Sequence, residues 1–463
     1  MARCRGADIT VSHASARHGA RATHAPLAPL AAVVAFAAVA LLGGCHSAQG
    51  ADAMTIRFWA LGAEADAVRT LARDFEHLHP GVTVEVQQIP WTAAHEKLIT
   101  AYVGDAMPDM AQLGNTWVPE FVAIGALTPL DSFTTHSTVV DSAAYFPGIW
   151  ATNEIHGVLY AVPWYVDTRL LFYRKDILAR AGYDSMPGTW EGWRRAMEAI
   201  RSRAGPRQYA IFLPTNEWNQ PVIFGMQEGS PLLADDGRYG AFSDSSFRRA
   251  FTFYLDLYRS GLAPVAGYND VANIYQEFTR GTYAMWITGP WNIGEFKRRL
   301  PDSMQGKWAT APLPGPTGDS SGVSLAGGSS FVIFRTSPHQ ALAWSFIEFL
   351  SQPAQQLKFY QLSGDLPSRE DAWHASGLET DVYAHAFWVQ LHRVRATPKV
   401  PEWEDITSKV IDQSEAAIRG GVPVSRALAT LDRDVNVILD KRRWLMARDS
   451  SRLADSARSA AAQ

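Results

Sequence analysis

The sequence predicts an α/β protein built in more than one lobe. Residues 54–113 read strand, helix, strand, helix, strand, the order that gives a mainly parallel sheet with helices on both faces. A second α/β region opens after Asp176. Between the two, the apolar run from Gly157 to Ile177 is interrupted by Pro163, which a central strand does not accommodate. Two half-strands meeting there fit better. Trp164, Tyr165 and Asp167 then lie where the chain passes from one lobe to the next.

The elements follow in order. Met54 to Trp59 alternate as a strand, and Gly62 opens a turn. Val68, Leu71, Ala72, Phe75 and Leu78 recur at helical spacing until Pro80-Gly81 stops them. Val82, Val84 and Val86 mark a second strand, Ala93 to Tyr102 a helix, and Pro108 to Leu113 a short buried strand. Ligands of such sheets bind beyond the carboxyl ends of the strands. The loops leaving those ends carry Glu64, Trp91, Asn115 and Trp117, so the four point at one region; Glu64 also suits a helix N-terminus. In the second region, Thr189 caps a helix with Trp190, Trp193, Met197 and Ile200 on one face, and Ser243 caps another bearing Phe247, Phe251, Tyr254 and Tyr258. Those stripes are core. The polar loop Pro214 to Asn219 offers Asn219 to a cleft. Ser337-Pro338 reads as a helix cap with proline at the first position, and Pro353 starts another helix. Residues 441–463 turn basic and then Ser- and Ala-rich, a frayed or disordered tail.

Composition narrows the function. With 463 residues, 47% hydrophobic and 19% charged, the chain is a folded globular protein of two or three domains. A net charge of −4, well interspersed, gives nucleic acid no footing. The two cysteines, Cys4 and Cys45, leave the body without a disulfide or a thiolate metal site, and the histidines show no metal-ligand spacing. No phosphate-cradling glycine loop, G-x-S-x-G or H-E-x-x-H is present, so no cofactor or metal is expected. Carboxylates are plentiful, and a glycosidase pair stays open.

The N-terminus is a targeting segment. Arg3, Arg5, Arg17 and Arg21 stand against one acid, Asp8, ahead of the apolar run Ala31 to Leu42, too short to span a bilayer. Leu42-Gly43-Gly44-Cys45 resembles a bacterial lipobox, which implies lipidation of Cys45, a signal peptide over 1–44 and a tether over 45–53.

The stretch LYAVPWYVDTRLLFYRKDIL, Leu159 to Leu178, resembles the extracellular solute-binding proteins of carbohydrate ABC transporters, in the branch of the maltose and trehalose binders. The resemblance covers most of 54–440. It implies the two-lobed periplasmic-binding-protein fold with three hinge crossings, near Pro163, Gly289-Pro290 and Arg335 to Pro338. Lobe one would comprise 54–163 and 290–336, and lobe two 164–289 and 337–440. It implies that Tyr165 and Asp167 face the cleft, with Asp167 accepting from sugar hydroxyls, and that Trp286 and Trp291 stack on sugar. Ala326 to Ser330 resembles a further family segment, which brings Gly328 and Ser329 to the ligand; Ser329 stands where many members have an aromatic. Gly364 to Arg369 resembles the loop that sets a polar residue, here Arg369, over the sugar. The implied protein is a monomeric, membrane-anchored periplasmic lipoprotein that binds an α-linked di- or oligosaccharide of the maltose, trehalose or sucrose class and delivers it to transporter permeases, with no catalysis. The rival is a secreted glycoside hydrolase or lyase using Glu64 and Asp167. A third reading is a surface lipoprotein with a protein-interaction face.

Overall fold

The structure is a computed structural model and describes residues 54–448. Cys45, the apolar run 31–42 and the tail beyond 448 lie outside the described residues. Nine strands make the two main sheets. In chain order they are β1 (Met54–Leu61), β2 (Val82–Ile89), β3 (Met110–Gly114), β4 (Val162–Val166), β5 (Leu170–Arg174), β6 (Tyr209–Phe212), β7 (Tyr283–Thr288), β8 (Trp308–Ala311) and β9 (Gly328–Ile333). The first sheet runs β2-β1-β3-β9-β4 and the second β8-β5-β7-β6. Each contains one reversed strand. β9 is antiparallel to β3 and β4, and β5 to β8 and β7; the other strands of each sheet run together. Two lobes on mainly parallel sheets are therefore the architecture found.

Both sheets are covered on both faces, so β3, β4, β5, β7 and β9 are buried along most of their length, whereas β1 and β2 alternate. On the first sheet, Phe58, Trp164 and Phe331 pack against α1 (Glu64–Leu78), while Leu113 and Val332 turn to Leu98 of α2 (Trp91–Val103). On the second, Leu171, Ile211 and Met285 meet α3 (Trp190–Ser202) and α4 (Ser245–Arg259), whereas Phe172, Phe212 and Trp286 meet Phe296 of α5 (Trp291–Arg299) on the opposite face. The helix caps differ in detail from expectation. Thr189 caps α3, but the α4 cap is Asp244, whose carboxylate accepts from the Phe247 amide. Ser337 lies before the next helix, α6 (Gln340–Ser351), whose cap position is His339; its hydroxyl donates to Asp109 instead.

The chain passes between the sheets three times, away from two of the three expected places. The first passage follows Val166, just past Pro163, which sits in edge strand β4 beside a register shift at Ser329/Ser330. The second lies between β8 and β9, not at Gly289-Pro290, because Trp308–Ala311 pairs with β5 in the second sheet. The third lies past α7 (Pro353–Ser363), not at Arg335 to Pro338, because Phe346 and Ile347 of α6 and Phe359 of α7 pack under the first sheet. The second and third passages flank the first. The Asp167 amide donates to the Gly327 carbonyl at 2.9 Å, and the Val166 amide to that of Leu366 at 3.0 Å. After the third passage the chain returns to the second sheet's side, where α8 (Trp403–Ile418) and α9 (Val424–Ile438) close its core. Residues 440–448 are helical.

Candidate functional site

A cavity of about 500 Å³ opens beside the first passage, lined from the first sheet and its loops and from α5 on the second sheet's side. It brings together seven of the residues singled out in the sequence: Glu64, Trp91, Tyr165, Asp167, Trp291, Gly328 and Ser329. Glu64 opens α1 at the end of β1. Its Oε1 accepts from the Tyr165 hydroxyl at 2.9 Å and from Trp91 Nε1 at 3.2 Å. Gln112 Nε2 donates to the Tyr165 oxygen (2.8 Å) and the Ser329 hydroxyl (3.1 Å), so the floor is one connected network. Gly62 permits this crowding: a Cβ there would lie 2.5 Å from Glu64 Oε2 and from the Trp91 ring.

The second lobe contributes Trp291, Glu295 and Arg298, which recur at helical spacing along one face of α5. The Trp291 ring folds back over Gly289, where a Cβ would come within 1.8 Å of it. The guanidinium of Arg169 lies 4.7 Å from the centre of the same ring, a cation–π contact. Arg169 also pairs with Asp167 at 3.2 Å and with Glu217 at 3.5 Å. Arg298 pairs with Glu295.

Five sequence candidates are not brought to this cavity. Trp117 stands edge-on to Trp91, with ring centres 5.8 Å apart, and supports it from behind. Asn115 donates to the Ala326 carbonyl at 2.6 Å and to Thr152, bracing the second passage. Asn219 donates to Glu217 at 2.9 Å and so acts one residue removed from Arg169. Trp286 is core on the α5 face of β7, because the period of two in that strand turns it away from α3. Arg369 is buried, held by both oxygens of Asp371 at 2.9 and 2.6 Å and lying over Tyr145; it ties the third passage to lobe one. Sequence reasoning missed Arg169, Glu295, Arg298, Ser363 and Asp365 as lining residues. Two signals were present: Arg169 follows Asp167 by two positions, and Asp365 lies in the same loop motif as Arg369.

Burial dominates the electrostatics. It lifts the Glu64 carboxyl above its usual range, against the hydrogen bonds from its own backbone, Tyr165 and Trp91. It lifts Asp365 well above its usual range, with the charge of Glu64 adding to the effect. Asp167 is pushed up to about 6 by burial, with Glu217 and Glu64 adding and Arg169 opposing. The folded chain therefore holds a proton on Asp167 that the unfolded chain, at 3.8, releases sooner. This group's contribution to stability is greatest below about pH 4 and is lost as pH rises to about 6. Asp167→Asn should flatten the decline of urea-denaturation stability across that window; an unaltered slope would count against the assignment.

The comparisons agree with this architecture. The signature of the bacterial extracellular solute-binding proteins matches residues 59–357. The sugar-binding protein MalE from the phytopathogen Xanthomonas citri, a solved structure, is 49% identical with a TM-score of 0.81, covering 85% of this chain and 99% of its own. An ABC transporter solute-binding protein from Thermotoga lettingae, bound with α-D-tagatose, is 27% identical with a TM-score of 0.72 over 83% of this chain and 100% of its own. The diacetylchitobiose-binding protein DasA of Streptomyces coelicolor is 25% identical over 82% of this chain and 89% of its own length. The resemblance to solute-binding proteins of carbohydrate ABC transporters, first carried by Leu159 to Leu178, is met. With a signature spanning most of its length and a 49% identical structural relative, the chain belongs to the bacterial extracellular solute-binding proteins.

Proposed function

We propose that this protein captures an α-linked disaccharide or short oligosaccharide, of the maltose, trehalose or sucrose class, and hands it to the permease subunits of an ABC importer. The observation that carries the reading is the cavity between the two sheets, where Trp91, Tyr165 and Trp291 offer apolar faces and Glu64, Asp167 and Asp365 offer acceptors. A volume of about 500 Å³ falls within the usual range for small-molecule sites. The sugar-binding MalE relative supports a sugar as the ligand. Closure of the lobes about the three side-by-side passages retains the ligand, as a rigid-body motion driven by contacts made only when closed. The protein works as a monomer, and no covalent chemistry is part of the reading.

A thermal-shift panel of maltose, trehalose and sucrose tests it. A cognate sugar at about 100 times its dissociation constant adds roughly 2.7 kcal/mol of stability. Each sugar should remain intact by chromatography. The sugar reading fails if none of the three shifts the melting temperature, and released monosaccharide at catalytic rates would favour a hydrolase.

The family is extracellular, and lipidation of Cys45 would hold the protein at the membrane facing the periplasm. The support is Leu42-Gly43-Gly44-Cys45 behind a basic and then apolar segment. Cys45→Ser should release the protein into the soluble fraction or leave its precursor unprocessed; unchanged membrane retention with normal processing rejects the anchor.

A further inference from the structure

We propose that Glu64 and Asp365 form a charge filter at the lobe-one end of the cavity, which admits sugars bringing hydroxyl or ammonium donors there and rejects sugars carrying a carboxylate. The proposal rests on the cavity being a sugar site. Four carboxylates line the cavity, Glu64, Asp167, Glu295 and Asp365, against two guanidinium groups. Both guanidinium groups are committed: Arg298 to Glu295, and Arg169 to Asp167 and Glu217. Among the described residues, neither Glu64 nor Asp365 enters an ion pair. Asp365 is only 5% exposed, yet it borders the cavity beside the Ser363 hydroxyl. It follows directly on α7, which packs against α1, the helix that Glu64 begins. On Glu64, Oε1 takes the hydrogen bonds from Tyr165 and Trp91, and Oε2 takes neither.

Two carboxylates, Asp365 buried and Glu64 half-buried, without a counter-cation have one useful partner, a ligand that donates. Sugar hydroxyls give charge-assisted hydrogen bonds, and an ammonium group also neutralises the pair. A ligand carboxylate in the same place adds a further negative charge beside this acidic pair in a desolvated cavity, which costs strongly. The charge of Glu64 already raises the proton affinity of Asp365 on top of the effect of burial, which is the same repulsion seen without a ligand.

Calorimetry on the full chain tests this. The probes are whichever of maltose, trehalose and sucrose binds, and its 6-amino-6-deoxy and 6-carboxylate analogues, with the substituent on either ring in turn. For at least one ring, the carboxylate analogue should bind roughly 100-fold more weakly than the parent, while the amino analogue binds no more weakly. Asp365→Asn and Glu64→Gln keep the shape and remove the charge. In at least one of them, confirmed folded by its melting temperature, the parent-to-carboxylate ratio should shrink about tenfold or more. Equal affinities for parent and carboxylate overturn the filter. So does a ratio unchanged in both variants, since rejection would then be steric. Failure of every parent sugar to bind overturns the sugar reading and the filter with it.

Discussion

Arg169→Ala should remove about 2–3 kcal/mol of stability, because deleting one partner of a half-buried ion-pair cluster strands the others. Here it strands two. Asp167, 3.2 Å away, and Glu217, 3.5 Å away, would face each other without a cation. Trp291 would lose the guanidinium that lies against its ring, and with it one constraint on its place in the cavity. Affinity should fall together with stability. Asp167→Ala should be milder, since Arg169 keeps Glu217. Asp167 thus both lines the cavity and pairs with Arg169. The measurement is the urea midpoint of each variant at neutral pH, with calorimetric affinity alongside. A loss below about 1 kcal/mol for Arg169→Ala would show the pair behaving as an ordinary exposed salt bridge.

Gly327→Ala should be nearly as damaging. A Cβ on Gly327 would stand 2.1 Å from the Asp167 carbonyl oxygen, closer than any relaxed contact. The neighbouring Gly328 is as tight, with its added Cβ 2.5 Å from the Tyr165 carbonyl oxygen. Two backbones are in direct contact here, so no flexible side chain can swing aside. The substitution has to part the first and second passages and break the hydrogen bond from the Asp167 amide to the Gly327 carbonyl. Overpacking of this kind costs about 1–3 kcal/mol, and more where the backbone has to move. Since the cavity opens on the same strands, ligand affinity should drop as well. A variant with wild-type melting temperature and wild-type affinity would show that the passages are free to separate.

The opening part of the first lobe, β1 to β3 with the helices between them, was legible in the sequence because those elements are consecutive. Alternation in Met54 to Trp59 and Val82 to Val86, and helical spacing from Val68 to Leu78, are local signals. The lobe boundaries were not, because they depend on pairing between distant segments. Nothing local in Trp308–Ala311 says that it joins β5, and nothing local in Phe346 says that it packs under Phe331. The site divided in the same way. Glu64, Trp91, Tyr165 and Asp167 sit at strand ends, where the rule for open α/β sheets points, and they line the cavity. Trp286 and Arg369 were chosen by motif position alone, and the motif does not reveal that β7 turns Trp286 into the core or that Asp371 captures Arg369. Asp365 passed unnoticed because one acid in a polar loop has no periodicity to betray its burial.

The position of β9 has a consequence for how the protein is made. β9 lies between β3 and β4 in the first sheet, yet it is the last of that sheet's strands to be synthesised. Gln112 and Ser329, which share a hydrogen bond across this junction, are 217 residues apart. A nascent chain that stops short of residue 328 thus holds three strands on one side of a gap and β4 alone on the other. The second lobe waits longer still, for α8 and α9 to close its core. Neither half can set into a finished globule while the rest is being made, and contacts of such long sequence separation form slowly. For a member of an extracellular family, that order leaves both sheets unfinished until the last strands and helices have been made.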